Sequence, residues 1–256
     1  MNTSNGSAAA TYVVLDKKTG ETPLECLERY RAAHPELAEV PMTYAGRLDP
    51  LAEGALLILV GEECKRKAAY LGLDKEYELS VLFGVATDTH DMLGLVTGAG
   101  ESVVDQTTVT SAAQSFVGTH TQPYPAFSSR TVAGKPLFQH AKDGNEDMGD
   151  RPTKEIEIYH IDFLDISHLT SEELLAAARN VSDIVKGDFR QPQIRASWER
   201  FFSTQQAAQT FTIARFHIRA SSGTYMRWFA DELGKRLNTA ALAFRIRRTR
   251  IGTFTC

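Results

Sequence analysis

One acidic residue, Asp49, lies where the local sequence restricts the backbone tightly. Pro50 fixes its own φ and biases Asp49 toward an extended conformation, and Gly46 and Gly54 allow sharp bends on either side. The apolar run 55–60 follows almost at once, so the carboxylate stands beside a buried segment. Such an acid is a candidate nucleophile. The alternative is an acid that opens a turn and only accepts hydrogen bonds from nearby backbone amides.

Composition limits the class of protein. The chain has 256 residues, of which 43% are hydrophobic, enough for one elaborated domain or two small ones. The net charge of −4 gives no global signature of nucleic-acid binding, so such a partner requires a local basic surface. The 3 cysteines are widely scattered. They favour a reducing compartment and argue against a disulfide framework or a zinc site.

Hydropathy gives no sign of export or of a membrane segment. Residues 1–10 are small and polar, unlike a signal peptide, and we expect them to form a short disordered leader. No apolar run approaches the length of a transmembrane helix. We therefore expect a soluble, cytoplasmic protein without a membrane partner.

Strand and helix signals are interspersed along the chain. Alternating hydrophobicity predicts strands at residues 12–15, 77–85, 156–166 and 211–218. Helical spacing and capping signals predict helices from Thr22 to His34 and at residues 107–117, 173–185 and 224–237. The run 55–60 fits either a buried strand or a short helix, and residues 186–209 carry few signals. Because no regular βαβ period is present, the pattern favours a mixed α+β sheet.

Four separated motifs resemble those of the TruB-type tRNA pseudouridine synthases. The first is the segment 44–61, where Leu-Asp-Pro is followed by Ala, Gly and an apolar run, and Gly-Glu-Glu-Cys-Lys at 61–65 follows it. The others are Lys-Glu-Tyr at 75–77, Thr-Asp-Thr-His-Asp at 87–91 and Ser-Ser-Gly-Thr-Tyr-Met-Arg at 221–227. Each fragment alone is weak, but together they occur in the family's order at compatible intervals. The resemblance covers most of residues 11–254.

The resemblance implies a fold and a division of the chain. The pseudouridine synthase fold is α+β, with a large, mixed, mostly antiparallel sheet flanked by helices and crossed by a central cleft. Residues 11–256 would form the catalytic domain, 122–151 a thumb-like excursion that grips RNA, and 164–209 an insertion relative to the family. Because nothing follows Cys256, we expect the C-terminal RNA-binding domain of many relatives to be absent.

The resemblance also implies three catalytic residues, Asp49, Tyr77 and Arg227. Forming pseudouridine breaks the bond between ribose C1′ and uracil N1, rotates the base and rebonds it through C5, without redox change or cofactor. Asp49 would be the nucleophile, attacking either the uracil ring or the ribose carbon. Arg227 would keep it ionised through a planar fork of donors. Tyr77 would pack against the base and help to remove the C5 proton. The alternatives are an exposed ion pair for Arg227 and a plain core position for Tyr77.

Eight further residues match family positions that contact substrate or RNA. Tyr44 stands where the family usually has His, and its ring could fill the stack vacated by a flipped uridine. The run 235–250 has six cations and no acidic residue, which favours phosphate contact. The cations and aromatics of 164–209 could also bind RNA, or this stretch could be an inserted helix packed on the sheet. The substrate or RNA-binding set is Lys17, Tyr44, Lys65, Asp91, Tyr225, Ile246, Arg247 and Arg248.

The function implied by the resemblance is isomerisation of a T-loop uridine of tRNA, at tRNA position 55. We expect tRNA as partner, a monomeric protein, and no metal or nucleotide cofactor. Two alternatives stay open. Gly-Arg-Leu-Asp at 46–49 also resembles the motif of the pseudouridine synthases that act on rRNA and other RNAs. A noncatalytic tRNA-binding chaperone is the second alternative.

Overall fold

A nine-stranded sheet organises the chain in the computed structural model, which describes residues 11–144, 151–204 and 209–256. Two small two-stranded sheets accompany it. The strands are β1 (Tyr12–Lys17), β2 (Met42–Tyr44), β3 (Glu53–Val60), β4 (Lys75–Phe83), β5 (Val85–Thr87), β6 (Val96–Ala99), β7 (Gly118–Pro123), β8 (Thr131–Val132), β9 (Lys135–Pro136), β10 (Thr153–Thr170), β11 (Thr210–Ala220), β12 (Ala241–Ile251) and β13 (Phe254–Thr255).

Strand pairing places β3, from the first quarter of the chain, beside β12 near its end. The order along the large sheet is β1-β3-β12-β4-β11-β10-β7, with β2 on β3 and β13 on β12. The β3–β12 pairing is parallel, and the other pairings described for this sheet are antiparallel. In the parallel pair Gly54 lies opposite Arg248. The predicted mixed, mostly antiparallel α+β sheet flanked by helices is therefore confirmed.

Helices cover the two faces of the sheet. The α-helices are α1 (Pro23–Ala33), α2 (Lys67–Leu71), α3 (Gln106–Gln114), α4 (Leu137–Lys142), α5 (Ser171–Ile184), α6 (Gln191–Thr204) and α7 (Met226–Arg236). Apolar residues of α3 and α7 pack with one set of side chains from β4, β11 and β12. Residues of α5 and α6 pack with Leu82, Ile213 and Leu242 from the same three strands, in a separate cluster. None of the helices in the described ranges is long and apolar enough to cross a membrane.

Several local predictions agree with these elements. Thr22 caps α1 with a capping box to Glu25, and Thr170 caps α5 in the same way. The run 55–60 is resolved as part of strand β3. Helix α7 begins at Met226, two residues later than predicted at Thr224, because the preceding Ser-Ser-Gly-Thr forms a turn.

Several short elements and two long ones were not predicted. Strand β12 occupies residues for which the sequence predicts only a basic run, and α6 lies in the segment with few signals. In the predicted insertion 164–209, the residues up to Thr170 continue β10, and α5 and α6 follow. The predicted thumb, 122–151, contains β8, β9 and α4. Its residues 145–150 and the predicted leader 1–10 lie outside the described residues.

Candidate active site

The loop that carries Asp49 joins β2 to β3. Gly46 and Gly54 have φ of +88° and +96°, so both predicted bends are present. A Cβ atom on Gly54 would lie 2.3 Å from the carbonyl oxygen of Arg248 on the paired strand. Between the bends, the backbone N–H of Ala52 donates to the carbonyl of Asp49 at 3.1 Å. Glycine at position 54 thus lets this loop approach β12 closely.

A buried arginine holds the first half of the loop. Arg248 is only 2% exposed, and its Nε donates to the Ala55 carbonyl at 2.8 Å. Its Nη1 donates to the Arg47 carbonyl at 3.1 Å. These donors of Arg248 bind main-chain carbonyls at or beside the Asp49 loop, and its predicted contact with RNA stays a prediction. Burial lowers the pKa of Arg248, and Tyr77 beside it opposes that shift.

A buried lysine holds the second half of the loop. The Lys17 side chain is fully enclosed, and its Nζ donates to the carbonyls of Pro50 at 3.2 Å and Ala52 at 2.5 Å. This enclosure does not agree with the predicted RNA contact of Lys17. Burial lowers the pKa of Lys17 to about 8. The chain thus places two buried cations, from distant strands, on the backbone around Asp49.

Asp49 forms an ion pair with Arg227, the second residue of α7. Arg227 Nε donates to Asp49 Oδ2 at 2.8 Å, Nη1 to the Thr89 carbonyl at 2.9 Å and Nη2 to the Phe127 carbonyl at 3.3 Å. The Asp49 side chain is 33% exposed whereas that of Arg227 is 3% exposed. The carboxylate therefore faces a cavity while the guanidinium behind it is fixed by three acceptors.

The charges around Arg227 favour its ionised form. Burial lowers the pKa of Arg227, but Asp49, Asp91 and Tyr225 outweigh that effect, so its pKa is raised. An arginine in this place is charged at any physiological pH. Its fork matches three acceptors that come from three separate segments of the chain. The predicted exposed alternative for Arg227 does not agree with this burial.

Asp91 closes the loop between β5 and β6. Its Oδ1 accepts from Thr89 Oγ1 at 2.6 Å and from the Leu93 backbone N–H at 2.9 Å, and its Oδ2 lies 3.7 Å from Arg227 Nε. Burial raises the pKa of Asp91, and Arg227 opposes the shift. These bonds show that Asp91 closes its own loop, and its predicted contact with RNA stays a prediction.

A cavity of about 730 Å³ opens in front of Asp49. It brings together residues that lie far apart in the sequence, and its volume is in the range of small-molecule sites. The sequence-predicted residues that line it are Tyr44, Asp49, Tyr77, Asp91, Tyr225, Arg227, Ile246 and Arg248. Burial raises the pKa of Tyr77, which keeps its hydroxyl neutral. The cavity can hold a flat ring beside a carboxylate.

Gln122 and three lysines of the cleft were missed by sequence reasoning. The buried Gln122 on β7 donates from Nε2 to the Gly223 carbonyl at 3.2 Å, and its Oε1 accepts from the Tyr225 backbone N–H at 2.8 Å. It thus fixes the turn before Arg227. Lys75, Lys142 and Lys154 also line the cavity, and burial lowers the pKa of Lys75 to about 8. The Lys-Glu-Tyr motif at 75–77 could have identified Lys75 from the sequence. No motif marks Lys142 or Lys154.

The basic run 235–250 has counter-ions from other segments. Arg245 Nη2 lies 2.5 Å from Glu53 Oε1, and Arg247 Nη2 lies 3.4 Å from Asp16 Oδ1. Lys235 and Arg250 are also paired with carboxylates, and the Arg236 guanidinium stacks 3.8 Å from the Phe116 ring centroid. The expectation that these cations lack counter-ions is therefore wrong, whereas their contact with phosphate stays a prediction.

Among the other residues predicted to contact RNA, Lys65 is exposed whereas the aromatic residues of the predicted insertion are buried. Lys65 is exposed and lies 2.6 Å from Glu62 Oε2. In the predicted insertion, Trp198 and Phe201 are buried in the core cluster of α5 and α6, so the alternative of helices packed on the sheet describes them. Within the described residues, no group of three His, Cys, Asp or Glu side chains is placed to share a metal ion.

Comparison with known proteins gives a family match and relatives that align with nearly the whole of this chain. The family model described as TruB family pseudouridylate synthase (N terminal domain) matches residues 37–180, more than half of the chain. The tRNA pseudouridine synthase B of Chloroherpeton thalassium is 27% identical over 252 residues, covering 95% of this chain and 84% of the relative. The protein of the same name from Chlamydia pneumoniae is 28% identical over 249 residues, with coverages of 95% and 83%.

The fold also matches a solved structure. A chain in the crystal structure of a Cbf5-Nop10-Gar1 complex superposes with a TM-score of 0.57 at 18% identity. The match covers 95% of this chain but 49% of that one, so the present chain spans about half its length. This likeness shows that the two chains share a fold.

Proposed function

The chain belongs to the TruB family of pseudouridylate synthases, and we propose that it isomerises a uridine in the T-loop of tRNA with Asp49 as nucleophile. The family makes it an isomerase. Its relatives over 95% of its length bear the name tRNA pseudouridine synthase B, which supports tRNA as the substrate. The observation that carries the proposal is the Asp49 carboxylate, paired with buried Arg227 at the wall of a 730 Å³ cavity.

The proposed reaction uses the carboxylate to divide one difficult step into easier ones. Asp49 attacks the uracil ring or ribose C1′, and the N1–C1′ bond breaks. The base turns within the cavity, C5 bonds to C1′, and the bond between Asp49 and the substrate breaks, which restores the free carboxylate. The C5 proton leaves and N1 gains a proton. Atoms and electrons balance without an oxidant or reductant, because the product is an isomer of the substrate. The cavity is large enough for the base to rotate while it stays bound.

Arg227 and Tyr77 have separate parts in this proposal. Arg227 orients one oxygen of Asp49 through its Nε, which leaves the other oxygen toward the cavity. Tyr77 presents its ring to the base and its hydroxyl to the C5 proton. The raised pKa of Tyr77 keeps its hydroxyl protonated in the resting protein. The hydroxyl can therefore accept the C5 proton only if it gives up its own proton to another group at the same time. Tyr225 and Ile246 form apolar walls of the same cavity.

Reaching the uridine requires flipping it out of the folded RNA, which costs a few kcal/mol of unstacking. Tyr44 at the cavity rim is half-buried and can stack on an RNA base. Lys67 Nζ lies 5.2 Å from the centre of the Tyr44 ring. This cation stands beside the aromatic residue and can approach the phosphates that flank the flipped nucleotide. The exposed Lys65 on the preceding turn would extend that contact.

The experiment compares RNA substrates with purified protein and no added metal or nucleotide. An unmodified tRNA transcript, the same transcript with the T-loop uridine changed to cytidine, and an rRNA fragment are incubated separately. Mass spectrometry then maps pseudouridine. The proposal expects product at one T-loop position of the first RNA and none in the other two. Product only in the rRNA fragment would favour the rRNA enzymes, and tRNA binding without any product would favour the chaperone.

A further inference from the structure

Arg190 connects α5 and α6, which lie in the predicted insertion, to the candidate active site. It lies between α5 and α6, where its φ of +61° is unusual for a residue other than glycine. Its Nη1 donates to Asp88 Oδ2 at 2.7 Å, and its guanidinium carbon lies 4.3 Å from the centre of the Phe127 ring. A strained backbone that presents a side chain to two partners suggests a role for that side chain.

Both partners of Arg190 adjoin an acceptor of Arg227. Asp88 directly precedes Thr89, whose carbonyl accepts from Arg227 Nη1 at 2.9 Å. Phe127 itself accepts from Arg227 Nη2 through its own carbonyl at 3.3 Å. Arg190 therefore contacts both segments whose carbonyls bind the terminal nitrogens of Arg227. In the described part of the chain, Arg190 is the one cation that forms an ion pair with Asp88.

Burial makes this connection stiff. The side chains of Arg190 and Asp88 are 19% and 9% exposed, so water screens their attraction less than that of a surface pair. The second oxygen of Asp88 accepts from the Leu95 backbone N–H at 2.8 Å, which anchors the loop from its far side. Nearby, Lys142 of α4 donates to Asp188 Oδ2 at 2.9 Å, so two ion pairs join the insertion to the segments around the cleft.

We propose that Arg190 is a positioning residue, which orients Arg227 and through it Asp49 by fixing the Thr89 and Phe127 carbonyls. This inference rests on the proposed function of Asp49 and Arg227. It gives the insertion a part in the reaction that differs from RNA binding: Arg190 sets the rate of the chemical step. A phosphate contact by the same arginine would instead set the affinity for RNA.

The test separates rate from affinity in single-turnover experiments with an unmodified tRNA transcript. The variants are Arg190→Ala and Arg190→Lys, with Phe127→Leu, which removes the stacked ring but keeps the backbone carbonyl. The matched control is Arg179→Ala, because Arg179 pairs with Glu199 between the same two helices, 2.9 Å apart and exposed. Filter binding gives Kd for tRNA at two salt concentrations, and thermal unfolding confirms that each variant is folded.

We expect Arg190→Ala to lower the rate constant at least about tenfold with Kd within twofold of wild type. Arg190→Lys should recover part of the rate by keeping the charge on Asp88, and Phe127→Leu should lose part. Arg179→Ala should match wild type. A normal rate in folded Arg190→Ala overturns the inference, as does a weaker Kd with a reduced salt dependence and an unchanged rate. If Arg190→Ala does not fold, a wild-type rate in Phe127→Leu and Arg190→Lys overturns it. Failure of the wild-type protein itself to form product contradicts the proposed function.

Discussion

Replacing Arg227 with lysine keeps the positive charge but removes the planar fork. The arginine reaches Asp49 from Nε, and the Thr89 and Phe127 carbonyls from its two terminal nitrogens, at 2.8, 2.9 and 3.3 Å. One ammonium group cannot occupy all three positions. Arg227→Lys should therefore leave Asp49 without its oriented donor, or leave buried carbonyls without theirs.

Two magnitudes follow from this geometry. A hydrogen bond between charged groups is worth about 1.5 to 3 kcal/mol, and loss of that amount from the reactive geometry lowers kcat by about 10- to 150-fold. Two buried carbonyls without donors should lower the free energy of unfolding by about 2 to 6 kcal/mol. The two effects are measured separately, by single-turnover pseudouridine formation and by urea unfolding.

The matched control for this substitution is Arg215→Lys. Arg215 pairs with Asp165 across β11 and β10, where both side chains are nearly half exposed. Because exposed pairs contribute little, this variant should keep the wild-type rate within twofold. A rate for Arg227→Lys within threefold of wild type, with the protein folded, would refute the role assigned to the fork.

Three further predictions concern the loop around Asp49 and the cavity wall. Gly54→Ala should lower the free energy of unfolding by about 2 to 4 kcal/mol. The control is Gly118→Ala, which should lose clearly less, because the φ of Gly118 is also positive but a Cβ added there meets open space. Similar losses for the two variants in urea unfolding would contradict the close approach of Gly54 to Arg248. Because the folded pKa of Lys17, about 8, lies below the ordinary 10.5, the unfolded chain binds that proton more tightly, so stability should rise from pH 8 to 10. The rise should exceed that of Lys17→Met by up to about 2 kcal/mol in chemical denaturation, and equal pH slopes would count against burial of the ammonium. Tyr77→Phe should bind tRNA normally but release tritium from C5-labelled uridine at least about 100-fold more slowly; an unchanged release rate would remove its hydroxyl from the reaction.

Local signals in the sequence predicted much of the fold. Thr22 and Pro23 predicted the start of α1, and the observed capping box explains why, since the bonds involved span only three residues. The bends at Gly46 and Gly54 were equally local. Strand β12 was missed because arginines alternate with its apolar residues, so the cations concealed a strand whose inward positions include Ile246.

The roles of the cations depended on distant partners. Lys17 and Arg248 match family positions, but their acceptors around Asp49 lie 33 or more residues away from Lys17 and 193 or more from Arg248. Spacing along the chain cannot show which cation becomes enclosed. Similarly, the counter-ion of Arg245 is Glu53, on a strand that becomes its neighbour through the parallel pairing. Motifs located the candidate site, whereas the supporting groups required the three-dimensional arrangement.

Pseudouridine formation by Asp49→Asn tests the proposed nucleophile itself. The substitution keeps the size of the side chain and can still accept from Arg227 Nε, but it removes the negative charge. Under single-turnover conditions with an unmodified tRNA transcript, we expect Asp49→Asn to bind tRNA normally and to form no product detectable by mass spectrometry. Asp165→Asn, an exposed carboxylate on β10, should form product at the wild-type rate. Pseudouridine formed by Asp49→Asn at that same rate would contradict the proposal that Asp49 is the nucleophile.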